Sequence, residues 1–144
     1  PADLMGEKNL YQNVKMVTAF AEKSGAVVAA TGKNDIVSDG RKAYWIQNGH
    51  SMMQTVTGVG CQLSALAAAY VAANPKHTLE AVTAAVSTIG VCGELAYERM
   101  SDLDGNASYR NYLIDAVYRL DGKNLERLAR VEKVNENGEK SNEM

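Results

Sequence analysis

The segment Thr57-Gly58-Val59-Gly60-Cys61 feeds directly into a run of small apolar residues, Gln62 to Ala73. Two glycines let the backbone turn tightly, and the alanine-rich run predicts a helix that begins at or just after Cys61. A helix N-terminus presents unpaired backbone N–H groups and the positive end of the helix dipole. With no bulky side chain in the way, Gly58, Val59 and Gly60 form a loop that can admit an anion, typically a phosphate. The same field favours the thiolate of a cysteine placed there. An anion cradle and a basic, reactive sulfur on Cys61 therefore coincide. A cysteine among alanines is otherwise a small buried hydrophobe, so the surroundings have to decide.

The other residues capable of chemistry have plainer roles. His50 follows a turn and reads as a loop histidine with a local hydrogen bond. Cys92, between Val91 and Gly93, reads as helix packing. Asp35 and Asp39 suit turn and hairpin positions better than a metal site. Glu94 and Glu98 are one helical turn apart, but Arg99 beside them predicts an ion-paired face rather than a metal pair. Met52 and Met53 fill core space.

These residues need elements to hold them. From Gly6 to Ser24, apolar side chains recur at Leu10, Val14, Val17 and Ala21, which is helical spacing, and Gly25 stands where a helix C-terminus prefers glycine. Ala26 to Ala30 is short and wholly apolar, as a strand buried on both faces would be. Asp39-Gly40, flanked by Asp35–Ser38 and Arg41–Ile46, predicts a hairpin with a two-residue turn. Asn74-Pro75 ends the Cys61 helix. Thr78 is placed to cap a long helix from Leu79 to Met100, in which Gly90 and Gly93 allow a neighbour to come close. Ser108 is placed to cap a helix carrying Tyr112, Leu113, Ala116, Val117 and Leu120. A last amphipathic segment carries Leu125, Leu128 and Val131. Residues 135–144 are polar and aperiodic and read as a disordered tail.

Helices mixed with a buried strand and a hairpin make an α/β layered fold, with residues 1–134 as the folded part. One strand and a hairpin do not complete a layered sheet, which places further strands on a segment outside this sequence. The chain has 144 residues, 46% apolar and 22% charged, as a globular domain does. Its net charge of −2 provides no basic footprint for nucleic acid or an acidic membrane surface. No uninterrupted apolar run reads as membrane-spanning, and Asp3, Glu7 and Lys8 interrupt any leader-like stretch. Two cysteines make no disulfide scaffold and fit a reducing, cytoplasmic setting.

Ala29-Ala30-Thr31-Gly32-Lys33-Asn34-Asp35-Ile36-Val37-Ser38-Asp39-Gly40, then Asn48-Gly49-His50, then Val56-Thr57-Gly58-Val59-Gly60-Cys61 closely resemble the hydroxyethylthiazole kinase family. Gly93-Glu94-Leu95-Ala96 with Glu98-Arg99 continues the likeness, which runs from Val14 to Val131 and covers the C-terminal half of that family. The resemblance implies a ribokinase-like α/β fold. It also implies transfer of the ATP γ-phosphoryl group to the hydroxyl of a hydroxyethylthiazole in thiamine salvage, with Mg2+ accompanying ATP. By resemblance, Gly58, Val59 and Gly60 form the anion hole and Gly58 also contacts the thiazole. Thr31 contacts ATP, and Cys61 assists deprotonation of the substrate hydroxyl. The family's metal-binding acidic residues match no position here. A homotrimer, with the N-terminal half of the same protein required, is implied as well.

The sequence departs from the family pattern at Val59, usually threonine, at Ser51, usually proline, and at Gln54, usually lysine. Gly105-Asn106-Ala107-Ser108-Tyr109 replaces a Gly-Pro-Gly-Ser-Phe-like turn. The backbone donors of the loop survive the Val59 change. Two other readings stand beside the first: a hydroxymethylpyrimidine or sugar kinase of the same fold, which would carry aspartate in place of Cys61, and a non-catalytic phosphate- or nucleotide-binding module.

Overall fold

A computed structural model of the chain describes residues 7–32 and 35–135. The elements in order are α1 (Glu7–Ser24), β1 (Val28–Ala30), β2 (Asp35–Ser38), β3 (Ala43–Ile46), a single 3-10 turn (Ser51–Thr55), α2 (Val59–Ala73), α3 (Thr78–Glu98), α4 (Asn106–Arg119), α5 (Gly122–Leu128) and β4 (Val131–Val134). The four strands form one antiparallel sheet in the order β1-β2-β3-β4, with Ile36 opposite Trp45 and Tyr44 opposite Lys133.

The two-residue alternation of a strand sorts the core into layers. Ile36 and Ala43 point to one face, where Leu10, Val14 and Val17 of α1 and Val134 of β4 cover them. Val37 and Ile46 point to the other face, against Leu79 and Val86 of α3. The far side of α3 then packs on α2 and α4 through a third core of Val56, Ile89, Cys92, Ala96, Tyr109, Leu113 and Ala116. Helix α3 is thus the central column, touching the sheet with one side and helices with the other. It has the length and apolar composition of a membrane-spanning helix, contrary to the reading of the sequence, but 72% of its apolar window is buried inside the protein.

The helix over 7–24 is present as read, and Gly25 closes it with φ +68°. The hairpin is present with a longer connection than expected, since β2 ends at Ser38 and β3 starts at Ala43. Asp39 organises that connection: its carboxylate accepts from the N–H groups of Arg41 and Lys42, both at 2.8 Å. Gly40 has φ +90°, and a β-carbon there would lie 2.6 Å from backbone atoms of Glu22 in α1, so the hairpin tip passes too close to α1 for any side chain.

Three expectations are corrected. The apolar run 26–30 forms a three-residue strand that is half-buried to exposed, because β1 is a sheet edge that, among the described residues, pairs only with β2. The segment carrying Leu125, Leu128 and Val131 is not one amphipathic unit. Helix α5 stops at Leu128, and Val131 opens β4, the second outer strand. Ser108 and Thr78 are not caps: α4 starts at Asn106 behind Gly105, and α3 starts at Thr78 behind His77. Of the tail read as disordered, residues 136–144 lie outside the described residues.

Candidate functional site

Helix α2 begins at Val59, two residues before the expected start, so Cys61 is the third helical residue rather than the helix boundary. Its N-cap is Gly58, at φ +99° and ψ −2°, a left-handed conformation that glycine adopts without penalty. No side chain caps this end, and no acidic residue occupies the first turn. The N–H groups of the first turn therefore lack the side-chain acceptor that usually satisfies them. A β-carbon at Gly58 or at Gly60 would meet nothing within 4 Å, so neither position is crowded by its neighbours. Cys61 is exposed, whereas Cys92 is fully buried and burial pushes its thiol up to about 12. Cys92 takes the packing role read for it in the core, and Cys61 stands exposed in the first turn of α2.

The turn is held by the segment 48–57, which runs from β3 to α2 along the surface of α3. Asn48 is buried and uses its whole amide. It donates to Glu94 Oε2 at 3.1 Å and to the Leu128 carbonyl at 3.0 Å, and its Oδ1 accepts from the Arg130 N–H at 2.7 Å. Glu94 Oε1 accepts from the Gly49 N–H at 2.8 Å. Arg130 grips the same carboxylate with two nitrogens, Nη2 to Oε1 at 2.5 Å and Nη1 to Oε2 at 3.1 Å, and also donates to the Gln47 carbonyl. Burial pushes the Glu94 carboxyl upward, but its bonds from Arg130, Gly49 and Asn48 outweigh burial and hold it below its ordinary value. The same bond to Glu94 raises Arg130 further.

Further along, His50 Nδ1 accepts from the Met52 N–H at 3.2 Å and caps the 3-10 turn, the local bond expected of it. Its ring also stacks on Tyr97, centroids 3.6 Å apart. Met53 sits over Gly93, and Asn48 sits over Gly90, where a β-carbon would be 2.8 Å from Asn48 Cβ. Both glycines thus serve the close approach read from the sequence. The 105–109 turn joins the same place: Asn106 donates to the Thr55 carbonyl at 3.3 Å, and the buried Tyr109 hydroxyl donates to the Gly93 carbonyl at 3.0 Å. Burial, with the charge of Glu94 adding to it, pushes Tyr109 up to about 12.

The structure gathers Gly58, Val59, Gly60 and Cys61 in one turn. Thr31 stands exposed on a separate loop after β1. Asp35 accepts from the Gly32 N–H at 2.8 Å on that loop, and burial, partly offset by this bond, pushes its carboxyl up to about 6. The ion-paired face expected around Arg99 is different in detail. Arg99 pairs with Asp115 at 3.1 Å and lies over the Tyr112 ring, while Glu94 takes Arg130. Sequence reasoning missed Asn48 and Arg130 as partners of Glu94. Their separations along the chain, 46 and 36 residues from Glu94, leave no local signal. Among the described residues, no three His, Cys, Asp or Glu side chains converge as a metal site would require.

The fold is a layered α/β arrangement that presents a glycine-framed helix start, without a side-chain cap, beside an exposed thiol. Comparison with known proteins is more specific. The model of the hydroxyethylthiazole kinase family matches residues 5–123. A hydroxyethylthiazole kinase of Clostridium acetobutylicum is 48% identical over 130 residues, which are 90% of this chain and 48% of that protein. Hydroxyethylthiazole kinase 2 of Clostridium botulinum is 36% identical over 82% of this chain and 42% of its own. The solved structure of hydroxyethylthiazole kinase protein from Pyrococcus horikoshii superimposes with a TM-score of 0.78 at 35% identity, covering 86% of this chain and 47% of that one. The chain belongs to the hydroxyethylthiazole kinase family and spans about half the length of the relatives it matches.

Proposed function

We propose that the protein carrying this chain is a thiazole-alcohol kinase, moving the γ-phosphoryl group of ATP to the hydroxyl of hydroxyethylthiazole. The observation that carries this reading is the open, left-handed Gly58 start of α2 with Cys61 exposed in its first turn, on a chain 48% identical to a protein of that name. Phosphoryl transfer depends mainly on positioning and on stabilising charge at the phosphoryl oxygens. The N–H groups of Val59, Gly60 and Cys61, in a first turn without a side-chain cap, are assigned to those oxygens, with Gly58 leaving room for the thiazole. The substrate hydroxyl gives its proton to Cys61 Sγ as its oxygen bonds to the γ-phosphorus, and the bond to ADP breaks. A positioned base of this kind contributes about 10²-fold or less. Thr31, exposed after β1, is assigned to ATP.

Mg2+ accompanies ATP in this reading, but the described residues converge on no cation site, so its ligands are assigned to the other half of the fold. Two surfaces support the need for that half. No residue of α2 is buried although the helix is strongly apolar, and β1 offers an unpaired edge. Leu63 of α2 and Val27 before β1 pack on the same core as Val86. An unpaired apolar edge and an uncovered apolar helix are places where further strands and helices of one domain would dock. A homotrimer, a cytoplasmic location and a place in thiamine salvage complete the proposal.

The test is ADP release by the intact protein with ATP and Mg2+, comparing hydroxyethylthiazole, hydroxymethylpyrimidine and ribose. Thiazole-dependent turnover is the expected result. Turnover with either of the other alcohols alone would move the chain to another small-alcohol kinase. Binding of ATP without turnover of any of the three would make it a nucleotide-binding module.

A further inference from the structure

We propose that Glu94, held by Arg130 and bonded to Asn48 and Gly49, is the positioning residue for the Gly58–Cys61 turn. Its consequence for turnover rests on the kinase reading, whereas its consequence for the geometry of the turn does not.

The argument starts from what fixes the beginning of α2. No residue of α2 is fully buried; Val59 and Leu63 pack on the Ile89 and Cys92 core only in part. Gly58, which opens it, touches nothing within 4 Å of where a β-carbon would point. Besides this partial packing, the turn is placed from behind by the segment 48–57, whose Val56 is buried in the same core. That segment is fastened to α3 in sequence order: Asn48 and Gly49 on Glu94, Met53 on Gly93, and Val56 in the core with Ile89 and Cys92. Two of these fastenings are packing contacts of mobile or small side chains. Of the α3 fastenings, Glu94 is the one made of directed bonds, one to a backbone N–H and one to a side chain whose remaining atoms are also bonded, while Asn106 of α4 adds a bond to the Thr55 carbonyl.

Glu94 is itself locked. Arg130 binds both of its oxygens, and this planar two-point pairing fixes the carboxylate plane as well as its position. Arg130 in turn is held at the α5–β4 junction, where its backbone N–H bonds Asn48 and its carbonyl accepts from the Gln47 N–H. Three elements distant in sequence, the end of β3, the last turns of α3 and the start of β4, meet on one carboxylate. A surface ion pair would contribute little here. This one is useful for direction, since it aims an acceptor at the Gly49 N–H.

Two variants grade the effect. Glu94→Gln keeps an oxygen for the Gly49 N–H and loses the charged grip of Arg130, whereas Glu94→Ala removes both. Cys61 provides a reporter that does not need turnover, because it is exposed and Cys92 is buried. A trifluoromethyl label on Cys61 of the intact protein, read by 19F NMR well below each variant's Tm, should show a displaced or second resonance in Glu94→Ala and a smaller change in Glu94→Gln. In unlabelled protein, kcat should fall by about 10- to 100-fold in Glu94→Ala with the KM for ATP unchanged, as expected for a reacting group misplaced by about 1 Å. Should Glu94→Ala fail to fold, Arg130→Met is read in the same way. A lowered Tm with unchanged 19F spectrum and kcat in every folded variant would overturn the proposal and leave Glu94 as a fastening of the fold only. If the unmodified protein turns over no thiazole, the kinase reading fails, and the 19F comparison still decides the positioning role.

Discussion

Substituting alanine at two glycines of one helix should have unequal consequences, and the reason is what each would strike. On α3, a β-carbon at Gly90 would lie 2.8 Å from Asn48 Cβ and 2.9 Å from its carbonyl carbon and oxygen. Those are backbone or near-backbone atoms of a residue held by bonds to Glu94, Leu128 and Arg130, so nothing nearby can swing aside. Overpacking of this kind costs about 1–3 kcal/mol, and stretching one of the Asn48 bonds adds about 1 kcal/mol or more. Alanine's better helix propensity offsets about 1 kcal/mol. Gly90→Ala should therefore be about 2 kcal/mol less stable, with Tm lower by about 5–8 °C. At Gly93 the atoms met are the thioether end of Met53 and, at 3.2 Å, the Tyr109 hydroxyl. Methionine's rotatable bonds let that end move away. Gly93→Ala should stay within about 1 kcal/mol of the parent once propensity is included. Urea unfolding of both variants, with the slope m checked for constancy, gives the comparison. A Gly90→Ala protein as stable as Gly93→Ala would refute the claim that segment 48–57 is seated rigidly on α3.

Gly58→Val should abolish thiazole-dependent turnover. Valine at φ +99° is strained by about 1–2 kcal/mol and fills the space before the turn, and unchanged turnover would remove the anion-hole assignment. Cys61→Asp should retain much of the activity and Cys61→Ala should lose about 10²-fold or less in kcat, since the proposed role is that of a base; near-complete loss in Cys61→Asp would instead point to a role specific to sulfur. Asp35 concerns stability. Burial, partly offset by the Gly32 N–H, raises its carboxyl from 3.8 to about 6, so the folded chain holds that proton more tightly than the unfolded one. The resulting stability is fully present below about pH 4 and is lost as pH rises to 6. Asp35→Asn, which keeps the acceptor for Gly32, should be more stable than the parent by about 3 kcal/mol at pH 7, with the difference vanishing near pH 4 in urea titrations. An equal difference at both pH values would show that Asp35 is not destabilised by its charge.

Local chemistry was legible in the chain. The 3.6-residue recurrence of Leu10, Val14, Val17 and Ala21 defined α1, Asp39-Gly40 marked the hairpin, and Gly58 to Cys61 announced a helix start with an accessible sulfur. Each of these is set by neighbours within a few residues; the structure keeps α1 and the hairpin, lengthens the hairpin connection to Asp39–Lys42 and starts α2 at Val59. The order and spacing of the motifs also carried the family, because that pattern extends over most of the chain.

Other features depended on distant residues. Nothing in Ala26 to Ala30 says that β1 lacks a second partner, since an apolar run reads alike at a sheet's edge and at its centre. Val131 continues the helical spacing of Leu125 and Leu128, yet it enters β4 because β3 has an open edge to receive it. Glu94 and Arg99 looked like neighbours on one helix face, but Arg130 and Asp115 claim them across the fold. Side-chain partners in an ion pair are chosen by distance in space, and only the stacking of the sheet, α3, α4 and α5 sets those distances. Composition and spacing determined which groups can do chemistry. The tertiary structure decided which of them are aimed, because aim requires bonds from at least two elements at once.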